Sequence, residues 1–255
     1  MAEFNYKELT FAITGASGAL GKSLIKRLKI EGAYVIALKH SDYFNPQGKN
    51  LIPENNIYDE IVYWECGKEY KLKELFLEVD VLILNHGVNL NGVQNNKFFI
   101  DSIEVNAISY VRLIDTFEMV KTSNKFKNKK QICEIWVNTS ESEVLPSLSL
   151  SYELSKRLIG QIISYKKFKL NEIGIQNIRI KKLILGSFKS ALNPIGIMDP
   201  FEVSEKIIDQ APFKDLIIIS PFFLSYILIP LNEFNRKVYY KFIKYLNLLL
   251  RNKKI

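Results

Sequence analysis

The chain alternates between short, almost uninterrupted apolar runs and longer stretches in which apolar residues recur every three or four positions. The apolar runs are LTFAIT (9–14), YVIAL (34–38), EIVYW (60–64), VDVLIL (79–84), ICEIWVN (132–138), IQNIRIKKLIL (175–185) and DLIIIS (215–220). They lack the in–out alternation of a half-solvated strand, which predicts a parallel sheet covered on both faces. Helical periodicity fills the gaps at about 19–31, 68–77, 98–121, 150–169 and 200–210. This rhythm predicts an α/β fold with a doubly wound parallel sheet, one domain over 1–220, followed by an apolar and basic extension over 221–255.

The extension begins in an uncharged run, LIIISPFFLSYILIPL (216–231), whose first part belongs to the last strand and which Pro221 and Pro230 interrupt. It falls short of the roughly 20 residues that cross a bilayer comfortably. In the segment that follows, Val238, Phe242, Tyr245, Leu246 and Leu249 share one helical face, while Lys237, Lys241 and Lys244 share another. Two readings stay open for 232–255: an interfacial helix on the inner face of a membrane, or a helix packed on the body or on a partner subunit.

Composition narrows the class. Of 255 residues, 47% are apolar and 24% charged, as in ordinary globular domains. The net charge of +8 is concentrated at the end, where 231–255 holds seven Lys or Arg against the single acid Glu233. The body is therefore nearly neutral, which argues against a nucleic-acid partner. KTSNKFKNKK (121–130) reads as a solvated loop. Two cysteines, Cys66 and Cys133, are too few for a disulfide framework and read as reduced thiols. With no leader-like segment in MAEFNYKELTFAITG, they lead to the expectation of a cytoplasmic protein. No residues are assigned to a metal.

TGASGALGKS (14–23) contains Gly-Lys-Ser, but a P-loop needs four residues between its first Gly and the Gly-Lys pair. Ala16 holds that position and Gly15 is one residue too far, so the nucleoside-triphosphate reading fails. What remains is Gly15, Gly18 and Gly21 between a buried strand and a helix, a dinucleotide turn. Gly15 permits the tight turn, Gly18 the approach of a pyrophosphate and Gly21 close packing, with Ser17, Ala19 and Leu20 completing the cradle at the helix N-terminus. The second strand ends in LKHSD, where Lys39, His40 and Ser41 stand in place of the usual ribose-binding acid. A cation and a hydroxyl suit a 2′-phosphate, so NADP(H) is favoured over NAD(H), with Asp42 a few residues late for the NAD role.

In SYELSK (151–156), Tyr152 and Lys156 fall one helical turn apart on one face. A phenol is a poor base at neutral pH, and an ammonium beside it is expected to lower its pKa. Ser140 stands twelve residues earlier, at the end of a buried strand. The glycine turn, LNHG (84–87), Asn106, Ser140, Tyr152-x-x-x-Lys156 and LGSFKS (185–190) occur in the order found in short-chain dehydrogenases/reductases, and residues 8–220 resemble that family. The resemblance implies a Rossmann-fold NAD(P)-dependent enzyme acting on a small carbonyl or alcohol substrate. Tyr152 would be the general acid/base, Ser140 the partner of the reacting oxygen, Lys156 the ribose holder and Asn106 the anchor of a proton-relay water. Glu65 and Cys66 match positions contacting adenine, while Asn85, His86, Gly87, Gly186 and Ser190 match the walls around the nicotinamide. The two helices near 98–121 and 150–169 commonly pair between subunits in the family, so a homo-oligomer is a further implication.

Several positions depart from the family pattern. The turn is TGxxGxxG, with Ala19 where the middle glycine usually sits, a spacing of longer relatives that carry a separate substrate domain. His86 is added, as proton donor or as cofactor wall; Leu185 replaces a proline; and the Ser140–Tyr152 interval is one residue short, so Thr139 is a substitute for Ser140. The substrate loop ALNPIGIMDP (191–200) reads as apolar and flexible, which together with an interfacial tail makes an apolar substrate plausible. The competing class is a catalytically silent dinucleotide-binding sensor or scaffold; an intact Ser–Tyr–Lys set favours the enzyme.

Overall fold

The structure is a computed structural model in which residues 5–40, 57–89, 96–123 and 133–252 are described. Seven strands form one sheet: β1 Thr10–Thr14, β2 Tyr34–His40, β3 Glu60–Trp64, β4 Val81–Leu84, β5 Cys133–Ser140, β6 Ile178–Leu185 and β7 Leu216–Ile219. Their order is β3-β2-β1-β4-β5-β6-β7, parallel throughout. Every β4 and β5 residue is buried, so neither face is free for polar residues and the runs read as continuous rather than alternating.

Successive strand residues point to opposite layers. Leu82, Leu84, Ile135 and Val137 join one core with α4 (Ser109–Lys121) and α5 (Leu150–Glu172). Phe11, Ile13, Ile83 and Trp136 join the other, with α1 (Ala19–Ile30) and α6 (Pro200–Gln210). The sheet order reverses between β1 and β4, and such a switch point opens a crevice at the carboxyl ends of the strands.

The helices depart from the periodicity in three places. Residues 69–76 divide into a 3₁₀ turn, Glu69–Leu72, and the single-turn α2, Lys73–Phe76. The 98–121 stretch is α3 (Asn96–Ile103) and α4 joined through a π turn at Glu104–Ile108. The third change is a correction: α7 runs from Phe223 to Asn252, with Pro230 inside it. Proline removes one backbone donor and presses on the preceding turn. Both Pro230 and Tyr226, whose carbonyl loses that donor, face solvent, where water satisfies the carbonyl. Lys121 is also not a loop lysine: it closes α4, buried, with its Nζ 3.4 Å from the Leu77 carbonyl, while 124–130 of that basic run lie outside the described residues.

α7 lies along α5, covering one face of a helix expected to pair between subunits. Tyr240 bonds Gln161 and packs on Tyr165 and Phe168, and Lys244 pairs with Glu172. Deeper in, Lys182 of β6 is fully buried and its Nζ reaches Glu143 (2.7 Å), Glu233 (2.7 Å), the Gly160 carbonyl (3.0 Å) and Ser164 (3.1 Å). Arg236 Nη1 donates to both acids. Burial alone would raise the Glu233 carboxyl; Lys182, Ser164 and Arg236 hold it below its ordinary value. Gly160 makes the space, since a Cβ there would stand 2.0 Å from Glu143 Oε2.

Removing one partner of a buried ion cluster leaves the others uncompensated, which typically costs several kcal/mol. Glu143→Gln is therefore expected to lower unfolding stability by about 3 kcal/mol in urea titration. A loss below about 0.5 kcal/mol, the range of an ordinary surface change, would show that the cluster does not hold α7 to the body.

Candidate active site

The glycine turn lies at the switch point. Gly15 has φ +66°, and a Cβ on it would stand 2.8 Å from the Asn85 carbonyl and the His86 backbone, so only glycine lets the β1 exit pass the β4 exit. A Cβ on Gly21 would stand 2.2 Å from the Gly15 carbonyl, which makes Gly21 the packing glycine. Gly18 is the N-cap of α1 and provides no side-chain cap bond, so Ala19, Leu20 and Gly21 present their amides at the exposed end. Ser17 is exposed in the same turn. Ser23 donates back to the Ala19 carbonyl as an ordinary helix residue.

Lys39 and His40 end β2, at the same carboxyl edge. The Lys39 ammonium lies 5.3 Å from the Tyr58 ring, and His40 Nε2 accepts from the Cys66 amide at 3.4 Å. Ser41 and Asp42 lie outside the described residues. Glu65 is partly exposed and paired with Lys68, while burial pushes the Cys66 thiol up to about 11 and keeps it protonated.

Asn85, His86 and Gly87 leave β4 against the glycine turn. Asn85 Oδ1 accepts from Asn138 at 2.8 Å, and its amide donates to Thr14 Oγ1. His86 is held at both ring nitrogens, by Thr14 Oγ1 (2.8 Å) and Ser109 Oγ (2.7 Å), and its ring packs between Trp64 and Tyr110. Burial, with Lys156 nearby, pushes its pKa down to about 3. A neutral ring with both nitrogens engaged has the character of a wall, not of a proton donor.

Asn106 sits in the π turn, fully buried. Its Oδ1 accepts from the Val88 amide (2.8 Å) and its Nδ2 donates to the Val88 carbonyl (2.9 Å) and lies near Ser155 and Ser102. The widened turn thus aims an amide that pins the β4 exit beside Gly87. The side chain is occupied in that task, so a relay water would have to use other atoms than this amide.

β5 and α5 bring the remaining groups together. Ser149 caps α5 and Glu153 reaches back to the Ser147 amide (2.8 Å), which fixes the first turn and with it Tyr152. The Lys156 ammonium lies 5.5 Å from the Tyr152 ring centre and 5.6 Å from that of Tyr110, with the Asn138 carbonyl at 3.5 Å. Ser140 Oγ donates to Ser142 Oγ at 3.1 Å and lies close enough to the Tyr152 phenol to act on its ionisation. Thr139 does not substitute for it: the next residue on a strand faces the other layer, where Thr139 Oγ1 donates to the Leu183 carbonyl.

The electrostatics correct one expectation. Burial raises the Tyr152 pKa, and the Ser140 bond only opposes it, so the phenol is held protonated instead of being lowered by its neighbour. Burial also drives Lys156 down to about 8, against the pull of Glu143. Desolvation of both members outweighs their mutual effect.

Gly186 follows β6, and a Cβ on it would stand 2.6 Å from the Pro221 ring and 3.0 Å from Glu141 Oε2. Ser190 closes a short turn with Asn193, and the 187–199 loop folds on itself through Lys189 N–Met198 O and Ile197 N–Ser187 O bonds, with more order than its composition suggests. Glu141 and Glu143 are residues the sequence reading passed over. They stand in TSESE beside Ser140, and two acids directly after a mostly apolar strand were the available signal. A cleft of about 710 Å³ opens at the opposite, amino edge of the sheet, around Gly174, Asn177 and Asp215, and holds none of these groups.

No family model matches the chain. Monoglucosyldiacylglycerol epimerase of Synechocystis sp. is 37% identical over 235 residues, which cover 90% of this chain and 53% of that protein. The chain thus spans about half the length of the curated relative it matches. A short chain dehydrogenase from Burkholderia cenocepacia in complex with NADP superposes with TM-score 0.66 at 14% identity, over 87% of this chain and 91% of that one. BdcA in complex with NADPH gives 0.62 at 14%, over 85% and 94%. Ligand-free aldohexose dehydrogenase of Thermoplasma acidophilum gives 0.61 at 15%, over 85% and 94%. These likenesses show the fold, a single Rossmann-type domain.

The Lys156 shift has a thermodynamic consequence. Its folded pKa lies below the ordinary 10.5, so between about 8 and 10.5 the unfolded chain binds more protons and stability rises with pH. Below that window the buried ammonium costs stability in full. Lys156→Met is therefore expected to be more stable than wild type at pH 7, by about 2 kcal/mol, with the gap narrowing as pH approaches 10. Thermal melts at a series of pH values check this; a variant less stable at pH 7 would refute it.

Proposed function

The chain is of the short-chain dehydrogenase/reductase type in fold and in the order of its motifs, and from that premise we propose an NADP(H)-dependent oxidoreductase interconverting a secondary alcohol and a carbonyl. The observation that carries this reading is the Tyr152 phenol, with Ser140 at its side chain and the Lys156 ammonium near its ring, at the sheet edge where the glycine turn opens. A sensor has no use for a half-buried phenol beside a buried amine, and the silent-binder alternative is not favoured.

The residues fit the dinucleotide. Gly15 to Gly21 offer an uncapped helix N-terminus to a pyrophosphate, and Lys39 and His40 offer a donor-rich edge to a 2′-phosphate. Asn85, His86, Gly87, Gly186 and Ser190 would form the walls around the nicotinamide, and Lys156 would hold its ribose. When bound, the nicotinamide supplies or accepts the hydride. In reduction, neutral Tyr152 gives its proton to the carbonyl oxygen while Ser140 donates a hydrogen bond to the same atom. In oxidation, the phenolate form of Tyr152, stabilised by the Lys156 ammonium near its ring, takes the proton from the alcohol and becomes the phenol that serves the reduction.

Kinship with the epimerase supports a narrower form. The substrate is a sugar carried on a lipid, and one carbinol carbon is inverted by oxidation to a ketone and reduction from the opposite face. The same Tyr152 works both ways, no net oxidation results, and the partner of the enzyme is the membrane surface that presents the lipid.

Tyr152→Phe is expected to lower turnover about a thousandfold or more while leaving NADPH affinity unchanged, read by sugar stereochemistry of a glycolipid and by nucleotide fluorescence. Turnover within about tenfold of wild type would sink the assignment. Lys39→Ala is expected to weaken NADPH about tenfold and leave NADH unaffected, measured by titration of both; equal losses would remove the 2′-phosphate role.

A further inference from the structure

We propose that the outer face of α7 is a docking surface for an anionic lipid bilayer, and that it lays the chain down with the candidate active site at the border of the contact. α7 is 30 residues and about 45 Å long, and its two sides differ in kind. Toward the body it turns Ser225, Ile229, Glu233, Arg236 and Tyr240. Away from it, an apolar stripe from Phe223 through Leu231, Phe234, Val238 and Phe242 to Leu249 is exposed throughout, from 77% at Phe223 to 42% at Leu249. An unbroken apolar stripe of this length is not an ordinary solvated surface. No helix among the described residues is long and apolar enough to cross a membrane, so the stripe is suited to lying on one.

Spacing and charge decide between lipid and a second copy. From Leu231 to Leu249 the stripe advances in steps of three, four, four and seven, close to the natural period of an α-helix, and so stays on one side without the left-handed winding of a heptad seam. The exposed Lys237 and Lys241 lie along one border, Lys244 beside them pairs with Glu172, and the helix's acid Glu233 is turned inward to Lys182 and Arg236. A second copy meeting this face would set lysines against lysines, whereas anionic headgroups complement them.

The geometry also ties the surface to the site. Ser220 and Ser225 both donate to Glu141, the residue after Ser140, at 2.6 and 3.1 Å, and Pro221 packs over Gly186. The stripe therefore begins at the carboxyl edge of the sheet. Other loops of that edge expose Leu148 and Ile195, extending the apolar contact around the mouth. That the docked edge receives a lipid substrate rests on the glycolipid reading above; the docking itself does not.

The test is sedimentation of the full chain with phosphatidylcholine vesicles, with and without phosphatidylglycerol, at rising salt. Wild type is expected to bind the anionic vesicles and to be released by salt. Lys237→Gln with Lys241→Gln is expected to weaken binding roughly thirtyfold, and Phe234→Glu with Phe242→Glu to abolish it, with NADPH binding kept as proof of folding. Absence of wild-type binding, or apolar-face variants that bind as well as wild type, overturns the proposal. So does a dimer in sedimentation velocity that Phe234→Glu with Phe242→Glu dissociates while vesicle binding is absent. Vesicle binding without glycolipid turnover supports the surface and removes only the substrate reading.

Discussion

Lys156 is held where its ammonium loses most of its hydration. Burial drives it toward neutrality, Glu143 pulls the other way, and the rings of Tyr110 and Tyr152 take the place of water near it. Much of the surrounding fold serves to make this position tenable. Ser149 and Glu153 fix the first turn of α5, so the amine cannot swing out. β5 runs on to Ser140, which brings the Asn138 carbonyl beneath the amine and a hydroxyl to the phenol. The Lys182–Glu143–Glu233–Arg236 cluster keeps a carboxylate in range of Lys156 while balancing its charge from the other side. Loosening any of these lets water return to the amine.

The parts of this arrangement written in local pattern were legible in the sequence. Continuous Val/Ile/Leu runs announce strands covered twice, and β1, β4, β5 and β6 are where they were expected because nothing else buries such runs. Gly15, Gly18 and Gly21 carry their constraint in the absence of a side chain, and the Tyr152–Lys156 pair needs only one helical turn to meet. What depends on distant partners was not legible. The phenol pKa goes up instead of down because burial, a property of the whole fold, outweighs a neighbour that sequence can see. The Asn106 π turn is set by its bonds to Val88 and Ser155, from other elements. Glu143 and Lys182 are 39 residues apart and became a pair only through the sheet.

The tail shows why amphipathicity could not choose between packing and a membrane. The two readings assumed one interface, but α7 has two. Its polar Ser225, Glu233 and Arg236 face the protein beside Ile229, and most of its apolar residues face outward, the reverse of a surface helix on a hydrophobic core. Lysines and aromatics alternate so closely that periodicity alone cannot say which side meets the body. The direction is fixed by Lys182, a buried cation on β6 that needs acids around it and draws Glu233 inward. Once Glu233 is committed, the opposite stripe has no protein left to cover it among the described residues.

Helix and site are joined by one short acidic stretch, Glu141 to Glu143. Glu141 receives both serines at the start of α7, and Glu143 receives Arg236 a few turns later while acting on Lys156 through space. Two carboxylates on successive faces of one 3₁₀ turn therefore bind the same helix at two points, with Ser140 at the head of the turn. A lever fixed at two points cannot rotate without displacing what lies between them. Both anchor points therefore lie just beyond the end of β5, within three residues of Ser140. The acidic stretch that keeps a carboxylate in range of the amine is thus the same one that holds α7 to the body.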